Sequence, residues 1–330
     1  MRAAVIGAGS WGTAFARLLV SAGHQVVLWA RRTALAEELR RTRENREYLP
    51  AVVLPQELGI TSSLGEALAG TEVAFFVVPS FALREVAERA ACHIPPGIPL
   101  VHLIKGLEEG TGRRMSEILA ETIPGHPVFA LSGPCHAEEV ARDHPTCVVL
   151  AGGNLHLGER LQRELMTPRF RVYLSDDLLG VEFCGAMKNV LAIGTGIAEG
   201  LGYGDNTRAA LITRGLAELA RFNRAVGAWP ETPYGLTGLG DLVATATSEH
   251  SRNRRVGLRV GRGERLPEIL AGMRMVAEGV HTSRWLYGLA KKLGVELPLC
   301  EAVYRVLHCG EPPQIQIDRL MLRPPRREFP

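Results

Sequence analysis

One lysine lies in a stretch of the chain where a charge is costly. Lys188 stands in the middle of residues 183–193, whose pattern predicts a buried helix that is apolar almost all round. An unpaired lysine there costs several kcal/mol or loses its proton. A desolvated lysine with a lowered pKa suits one chemistry, the protonation of an alkoxide as a carbonyl is reduced. The competing interpretation is a structural lysine whose amine extends from the helix to water.

Two later segments carry polar groups that suit the same chemistry. Asp241 follows two glycines in residues 236–242, where a carboxylate can orient the lysine or simply cap a helix. Ser251, Arg252 and Asn253 offer a hydroxyl, a guanidinium and an amide in succession, the donor set for a phosphoryl group. Each of these signals is weak by itself.

The start of the chain predicts the elements of a dinucleotide site. Residues 3–6 are typical of a buried parallel strand, Gly7, Gly9 and Gly12 follow in G-x-G-x-x-G spacing, and an apolar helical pattern comes next. The first glycine permits a tight turn, the second lets the backbone approach a pyrophosphate, and the third lets helix and strand pack closely. Free N–H groups at the helix N-terminus then bind the phosphates.

The next strand, predicted at residues 25–29, indicates which dinucleotide binds. An NAD site places an acidic residue about 20 residues past the glycines, to bond the ribose 2′-hydroxyl. Arg31 and Arg32 stand there instead, and guanidinium groups pair well with the oxygens of a 2′-phosphate. The pattern favours NADPH without excluding NADH. The competing interpretation is that both arginines only cap a surface turn.

The wider pattern predicts how these groups are positioned. Short apolar strands at residues 73–78, 100–104, 128–131 and 147–151 alternate with helices, which predicts an α/β fold with a doubly wound, Rossmann-type parallel sheet. Ligands of such sheets bind beyond the carboxyl ends of the strands, which makes the turns with Lys105 and Gly133 site candidates. Helical patterns dominate from about residue 176. We therefore predict a dinucleotide-binding domain over residues 1–178 and an all-α substrate-binding and catalytic domain over residues 179–330.

Composition limits the classes of partner. The formal net charge of +3 is too small to predict a nucleic-acid partner, and the arginine-rich segment at residues 252–265 lacks interleaved aromatic residues. No run of 18 or more apolar residues lacks charges or repeated glycines, so we expect no membrane insertion. The six cysteines form no C-x-x-C pair, and no metal site is expected. A first strand that begins near residue 3 predicts a cytoplasmic protein with no signal peptide.

Eight segments follow one another in a recognisable order along nearly the whole chain. They are residues 7–12 (GAGSWG), 48–50 (YLP), 104–107 (IKGL), 131–134 (LSGP), 185–190 (GAMKNV), 238–241 (GLGD), 251–255 (SRNRR) and 278–280 (EGV). Together they resemble the bacterial type of NAD(P)-dependent glycerol-3-phosphate dehydrogenase. The combination is far more specific than any one of the motifs.

This resemblance implies the reversible reduction of dihydroxyacetone phosphate to sn-glycerol 3-phosphate, a small phosphate ester, for glycerophospholipid synthesis. It implies three catalytic residues: Lys188 donates the proton in reduction and accepts it in oxidation, Lys105 lies between cofactor and substrate, and Asp241 lies beside Lys188. The residues expected to bind the cofactor are Gly7, Gly9, Ser10, Trp11, Gly12, Arg31, Arg32, Tyr48, Lys105, Ala137, Arg252, Val276 and Glu278. Those expected to bind the substrate are Lys105, Gly133, Cys135, Lys188, Asp241, Ser251, Arg252 and Asn253.

One position departs from the family's pattern. The family usually has a small hydroxyl or amide side chain where this chain has Cys135. A thiol is a weak hydrogen-bond donor, so a side-chain contact to the substrate would weaken and a backbone contact would survive. The resemblance is also compatible with a homodimer.

Two other functions fit part of the pattern. A related two-domain dehydrogenase that acts on a sugar acid or a 3-hydroxy acid would share the sheet, the helical domain and a buried lysine. The segment at residues 251–255 argues against it, because its donors suit a phosphate. A non-catalytic NADPH sensor would not need Lys105, Lys188 or Asp241.

Overall fold

The computed structural model describes residues 1–273, 276–325 and 327–328. Two compact units can be distinguished within it. The first unit consists of Met1–Gly185 together with Tyr234–Asp241, and the second unit consists of Ala186–Pro233 together with Leu242–Pro330. The domain boundary at residues 178/179 stays a prediction from the sequence.

An eight-stranded sheet forms the centre of the first unit and confirms the predicted fold class. Its strands lie in the order β10-β9-β8-β7-β6-β1-β2-β5, and β3 pairs with β4 in a separate hairpin. The order changes direction at β1 and β6, which is the crevice where doubly wound sheets bind nucleotides. The strands are β1 (Arg2–Ile6), β2 (Gln25–Trp29), β3 (Glu44–Asn45), β4 (Leu49–Val53), β5 (Gly59–Thr61), β6 (Val73–Phe76), β7 (Leu100–His102), β8 (Val128–Ser132), β9 (Thr146–Ala151) and β10 (Phe170–Ser175).

One pairing in this sheet differs from the all-parallel arrangement that the sequence predicts. Strand β9 runs antiparallel to β8, whereas β9 and β10 are parallel to each other. The connection explains the difference, because its only helix is α6 (Ala137–Val140). A four-residue helix rises about 6 Å, which is too short to return the chain along a five-residue strand of about 17 Å.

The sheet is covered on both faces. Alternate residues of β1 belong to different core clusters: Ala3 and Val5 pack on one side, and Ala4 and Ile6 on the other. All four are fully buried. A strand buried on both faces has a continuous apolar sequence rather than an alternating one, as residues 3–6 do.

Helices surround the sheet and make up the second unit, in which no strand occurs among the described residues. They are α1 (Ser10–Ser21), α2 (Thr33–Thr42), α3 (Leu64–Leu68), α4 (Leu83–Ala91), α5 (Met115–Thr122), α6, α7 (Leu155–Leu165), α8 (Leu178–Gly200), α9 (Asp205–Val226), α10 (Asp241–Thr247), α11 (Arg252–Gly261), α12 (Leu266–Ala271), α13 (Glu278–Leu293), α14 (Pro298–Cys309) and α15 (Pro313–Met321).

Helix α8 carries Lys188 and is the most apolar of the long helices. Among the described residues it is the one helix long and apolar enough to cross a membrane, yet 83% of its most apolar window is buried inside the protein. In the second unit its backbone lies directly against α11. A Cβ at Gly257 would collide with the carbonyl oxygen of Ile193, and a Cβ at Gly196 with that of Arg254. The glycines therefore let α11 lie against α8 at backbone distance.

Candidate functional site

The glycine loop after β1 has the geometry of a phosphate cradle. Gly7 has φ of +125°, and a Cβ there would collide with the carbonyl oxygen of Val77. A Cβ at Gly12 would collide with the carbonyl oxygen of Gly7. At Gly9, by contrast, a Cβ would meet no described atom within 4 Å. The loop is therefore tight where strand and helix meet and open at the N-terminus of α1, where an anion would bind.

Three neighbouring groups complete this end of the cradle. Asn45 is fully buried and donates from Nδ2 to the carbonyl oxygen of Ala8 (3.0 Å) and to Thr13 Oγ1 (2.8 Å). Trp11 packs against a small apolar cluster that contains Ala137. The structure thus brings together Trp11 and Ala137, which are far apart in the sequence. Asn45 was not predicted from the sequence and holds the loop in place.

The end of β2 brings Arg32 and Tyr48 together, as expected for residues that bind the same part of a cofactor. Arg32 Nη2 lies 3.4 Å from the Tyr48 hydroxyl, and its guanidinium lies 6.0 Å from the ring centroid. Arg32 also forms an ion pair with Glu47. This hydrogen bond with Glu47 is the main cause that raises the pKa of Arg32 above its ordinary value. Arg31 is exposed beside it.

Beyond the ends of β7 and β8, Lys105 is held by three groups. Its Nζ lies 2.7 Å from Asp241 Oδ2, donates to the carbonyl oxygen of Gly133 (2.6 Å) and lies 3.4 Å from Cys135 Sγ. The Cys135 thiol is 3.1 Å from the same carbonyl oxygen of Gly133. Four residues predicted to bind substrate therefore form one cluster in the first unit.

The charge of Lys105 is fixed by this cluster. Burial lowers the pKa of Lys105, but the Asp241 carboxylate and the Cys135 thiol outweigh burial and raise the pKa above its ordinary value. Asp241 comes into place through a π-helical turn at Leu236–Gly240, after which α10 begins at Asp241 itself. Single π-helical turns are rare and occur often at functional sites. We therefore expect Lys105, paired with Asp241 at 2.7 Å, to be protonated at neutral pH.

Helix α8 meets this cluster at Gly185, which has no side chain. A Cβ at Gly185 would lie 3.7 Å from Lys105 Cγ and 3.1 Å from Ser132 Oγ. Ser132 is 5% exposed, and its hydroxyl has no hydrogen-bond partner among the described residues. The glycine lets the helix backbone lie directly against the stem of Lys105.

In the second unit, Lys188 is buried as predicted, at 5% exposure. Its Nζ donates to Thr245 Oγ1 at 2.6 Å, and Thr245 is itself 3% exposed. Thr245 lies one helical turn after Asp241 on α10. Thr245 was not predicted from the sequence, although the i, i+4 spacing from Asp241 would place both on one face of a helix.

The start of α11 collects the groups predicted to bind a phosphate. Ser251 caps the helix, with its Oγ accepting from Arg254 N at 3.2 Å, and Arg252 is the first helical residue. Asn253 donates to Asn189 Oδ1 (2.8 Å) and accepts from Gly279 N (3.0 Å). Since Gly279 follows Glu278 at the start of α13, Asn253 links α11 to the start of α13, next to the predicted cofactor residue Glu278.

A buried carboxylate that was not predicted from the sequence anchors α8 in the first unit. Glu182 is 6% exposed and accepts from Ser116 N (2.9 Å), Ser116 Oγ (2.6 Å) and Arg114 Nη1 (2.6 Å). His102 Nε2 lies 3.1 Å from it. Burial raises the pKa of Glu182, but His102 and Arg114 outweigh burial and hold the pKa below its ordinary value. The carboxylate joins β7, α5 and α8 one turn before Gly185.

Replacing this carboxylate should destabilise the fold. We expect Glu182→Gln to lower the free energy of unfolding by about 3 kcal/mol, because it leaves the partly buried Arg114 without its buried charged partner. Urea denaturation at neutral pH measures the change. Glu117→Gln is the matched control, since Glu117 pairs with the same Arg114 but its side chain is 42% exposed; we expect a loss below about 1 kcal/mol. Equal losses in the two variants would contradict the anchoring role.

Comparison with known proteins identifies the family. A family model described as "NAD-dependent glycerol-3-phosphate dehydrogenase N-terminus" matches residues 2–157, and "NAD-dependent glycerol-3-phosphate dehydrogenase C-terminus" matches residues 177–318. The chain belongs to the NAD-dependent glycerol-3-phosphate dehydrogenase family. The resemblance seen in the sequence motifs is thereby confirmed.

Individual members of the glycerol-3-phosphate dehydrogenase family match over nearly their whole length. The glycerol-3-phosphate dehydrogenase [NAD(P)+] of Pelotomaculum thermopropionicum is 48% identical over 325 residues, which are 98% of this chain and 93% of that protein. The protein of the same name from Chlorobium limicola is 47% identical over 331 residues, 99% of both. The crystal structure of glycerol-3-phosphate dehydrogenase from Coxiella burnetii is 41% identical, with a TM-score of 0.93, and the match covers 98% of this chain and 99% of that one.

More distant structures share the fold alone. A PanE/ApbA family ketopantoate reductase from Ralstonia eutropha has a TM-score of 0.63 at 16% identity, and the match covers 97% of this chain and 100% of that one.

Among the described residues, no group of three or more His, Cys, Asp or Glu side chains could hold a metal ion.

Proposed function

We propose that the chain catalyses the reversible NAD(P)H-dependent reduction of dihydroxyacetone phosphate to sn-glycerol 3-phosphate in the cytoplasm, and that the product feeds glycerophospholipid synthesis. Relatives at 46–48% identity named glycerol-3-phosphate dehydrogenase [NAD(P)+] support this activity. The observation that carries the mechanism is Lys188, a buried amine whose Nζ is 2.6 Å from Thr245 Oγ1.

The first unit contains residues that fit the cofactor. The space beside Gly9 is open, the first turn of α1 has no acidic residue, and Arg31 and Arg32 follow β2. We propose that this helix N-terminus holds the pyrophosphate and that the arginines, with Tyr48, hold the adenosine end. The remaining residues proposed to hold the cofactor are Gly7, Ser10, Trp11, Gly12, Lys105, Ala137, Arg252, Val276 and Glu278. When bound, NADPH supplies the hydride that reduces the carbonyl carbon.

Lys188 is the proposed acid. In the proposed reduction it donates its proton to the carbonyl oxygen of the substrate, and in the oxidation it takes the proton back. Thr245 fixes the amine through its hydroxyl, which limits the positions that Nζ can take. An amine held in one position is oriented for proton transfer before the substrate binds.

Lys105 and Asp241 have a different proposed role. The ion pair with Asp241 keeps Lys105 protonated, so Lys105 supplies a fixed positive charge to the substrate oxygens rather than a proton. Asp241 holds that charge in place. Gly133 and Cys135 bind the substrate next to it, since both already contact Lys105.

The start of α11 is the proposed phosphate site. Arg252 carries a guanidinium at the first turn of a ten-residue helix, whose N-terminal N–H groups also favour an anion. Ser251 accepts a hydrogen bond as the helix cap, so its single O–H remains to donate to the substrate. Asn253 completes the donor set.

The side chain of Cys135 gives a further prediction. Because its thiol already faces the Gly133 carbonyl oxygen and Lys105, we expect the substrate to meet the backbone at this position. Cys135→Ser should then leave the KM for dihydroxyacetone phosphate within about 2-fold of the wild-type value, since a serine hydroxyl can keep both contacts. Steady-state kinetics at saturating NADPH test this. A drop in KM of about 5-fold or more, the size of one added hydrogen bond, would place the side chain on the substrate.

A substrate screen tests the proposed function against its alternative. The purified chain is assayed with NADPH and either dihydroxyacetone phosphate, a keto sugar acid or a 3-keto acid. We expect turnover of the phosphate ester only. Preferential turnover of an acid would favour the related two-domain dehydrogenase instead.

We also propose that the chain forms a homodimer, as the resemblance allows. Light scattering during size-exclusion chromatography measures the mass directly. A mass of 35.9 kDa, that of one chain, would contradict the dimer.

A further inference from the structure

A carboxylate lies where the cofactor's 2′-phosphate is expected. Glu47 accepts a hydrogen bond from Arg32 Nη2, and a second hydrogen bond joins it to the Tyr48 side chain. Arg32 and Tyr48 are two of the residues proposed to hold the adenosine end of NADPH. Both therefore direct their donors at an anion that the chain itself supplies.

This carboxylate favours one cofactor over the other. A 2′-phosphate carries negative charge, so it must compete with Glu47 for the guanidinium and approach a like charge. A ribose 2′-hydroxyl is a donor, and an acidic side chain near the end of the second strand is what NAD sites use to accept it. The end of β2 has no acidic residue of its own in the sequence, and Glu47 supplies one from a later segment of the chain.

We propose that Glu47 sets the cofactor preference of this enzyme, accepting the 2′-hydroxyl of NADH and competing with the 2′-phosphate of NADPH for Arg32. The proposal rests on the proposed function in so far as both cofactors occupy the same site. The charged groups then have separate roles: Arg31 and Arg32 bind the 2′-phosphate of NADPH, whereas Glu47 accepts a hydrogen bond from the 2′-hydroxyl of NADH.

The pair is open to the cofactor. The side chains of Arg32 and Glu47 are 49% and 31% exposed, so neither is locked in a core. A half-exposed ion pair is weak and can be exchanged for a stronger partner. The charge of Glu38 also raises the pKa of Arg32, but more weakly than the hydrogen bond with Glu47 does. It therefore offers a matched control for the loss of one negative charge.

The test compares Glu47→Gln with Glu38→Gln. The Kd of NADPH and of NADH is measured for each purified protein by nicotinamide fluorescence, without substrate, and kcat/KM is then measured with both cofactors. For Glu47→Gln we expect the ratio of the NADH Kd to the NADPH Kd to rise by about 5-fold, the scale of one exposed ion pair. For Glu38→Gln we expect a change of less than about 2-fold, because its charge acts at longer range.

Two results would overturn the proposal. One is an unchanged Kd ratio in Glu47→Gln. The other is an equal change of the Kd ratio in both variants, which would show that the loss of any nearby negative charge has the same effect. The Kd comparison needs no turnover. A wild-type chain that binds both cofactors without reducing dihydroxyacetone phosphate would refute the proposed function and leave the assignment of Glu47 to be decided by the Kd ratio.

Discussion

Lys188→Ala should lower kcat for dihydroxyacetone phosphate reduction by about 10²- to 10⁴-fold, the usual contribution of a positioned acid. The amine is 5% exposed and donates to Thr245, and alanine leaves no acid at this buried position. Lys105 is the other lysine that could donate a proton to the substrate, but its ion pair with Asp241 favours the protonated form. Steady-state turnover with saturating NADPH measures the loss.

Lys188→Arg separates proton transfer from charge. A guanidinium keeps the positive charge but does not release a proton at neutral pH, so we expect nearly the same loss as in Lys188→Ala. The Kd of NADPH should stay within about 2-fold in both variants, because the proposed cofactor contacts do not include Lys188. Turnover restored by arginine would show that only the charge of Lys188 matters, and turnover retained by alanine would remove it from the chemistry.

Arg252→Ala should raise the KM for dihydroxyacetone phosphate by roughly 10- to 100-fold, the value of a charge-assisted hydrogen bond to an anion. Arg252 is the first residue of α11, where the helix N-terminus adds to the positive potential. Its neighbour Arg254 cannot take over, because it already binds Glu199 through two hydrogen bonds of 2.8 and 2.6 Å. The KM for a substrate without a phosphate should change little.

Arg255→Ala is the control on the same helix. Arg255 is exposed on α11 and carries the same charge, so any effect of net charge alone should appear in both variants. We expect the KM of Arg255→Ala for dihydroxyacetone phosphate to stay within about 2-fold of the wild-type value, because solvent and salt screen an exposed charge that does not contact the substrate. Equal increases in the two variants would contradict a specific phosphate contact at Arg252.

Sequence alone predicted the parts of this protein whose signals are local. The glycine loop is predictable because Gly7 and Gly12 have no room for a Cβ, so their spacing follows from the turn itself. The burial of Lys188 is predictable because its helix is apolar on every side. Strand β2 was predicted at its observed bounds of Gln25–Trp29, since β-branched residues and flanking polar residues delimit it.

The features that were missed depend on contacts distant in sequence or on weak local signals. Strand β5 has only three residues, and the edge strand β10 alternates buried and exposed residues between polar flanks. Lys105 and Asp241 form an ion pair although they are 136 positions apart in the sequence. The π-helical turn that precedes Asp241 has no hydrophobic periodicity from which it could be predicted. Glu182 resembles an ordinary helix residue in the sequence, and only the fold places Ser116 and Arg114 against it.

A comparison of two ketones tests both the proposed reaction and the proposed phosphate site. NADPH oxidation is followed with dihydroxyacetone phosphate, and again with dihydroxyacetone, which has the same ketone without the phosphate. We expect rapid oxidation with the phosphate ester and a kcat/KM at least about 100-fold lower without the phosphate, because the contacts at the start of α11 are lost. Equal rates with the two ketones, or no oxidation with dihydroxyacetone phosphate, would contradict it.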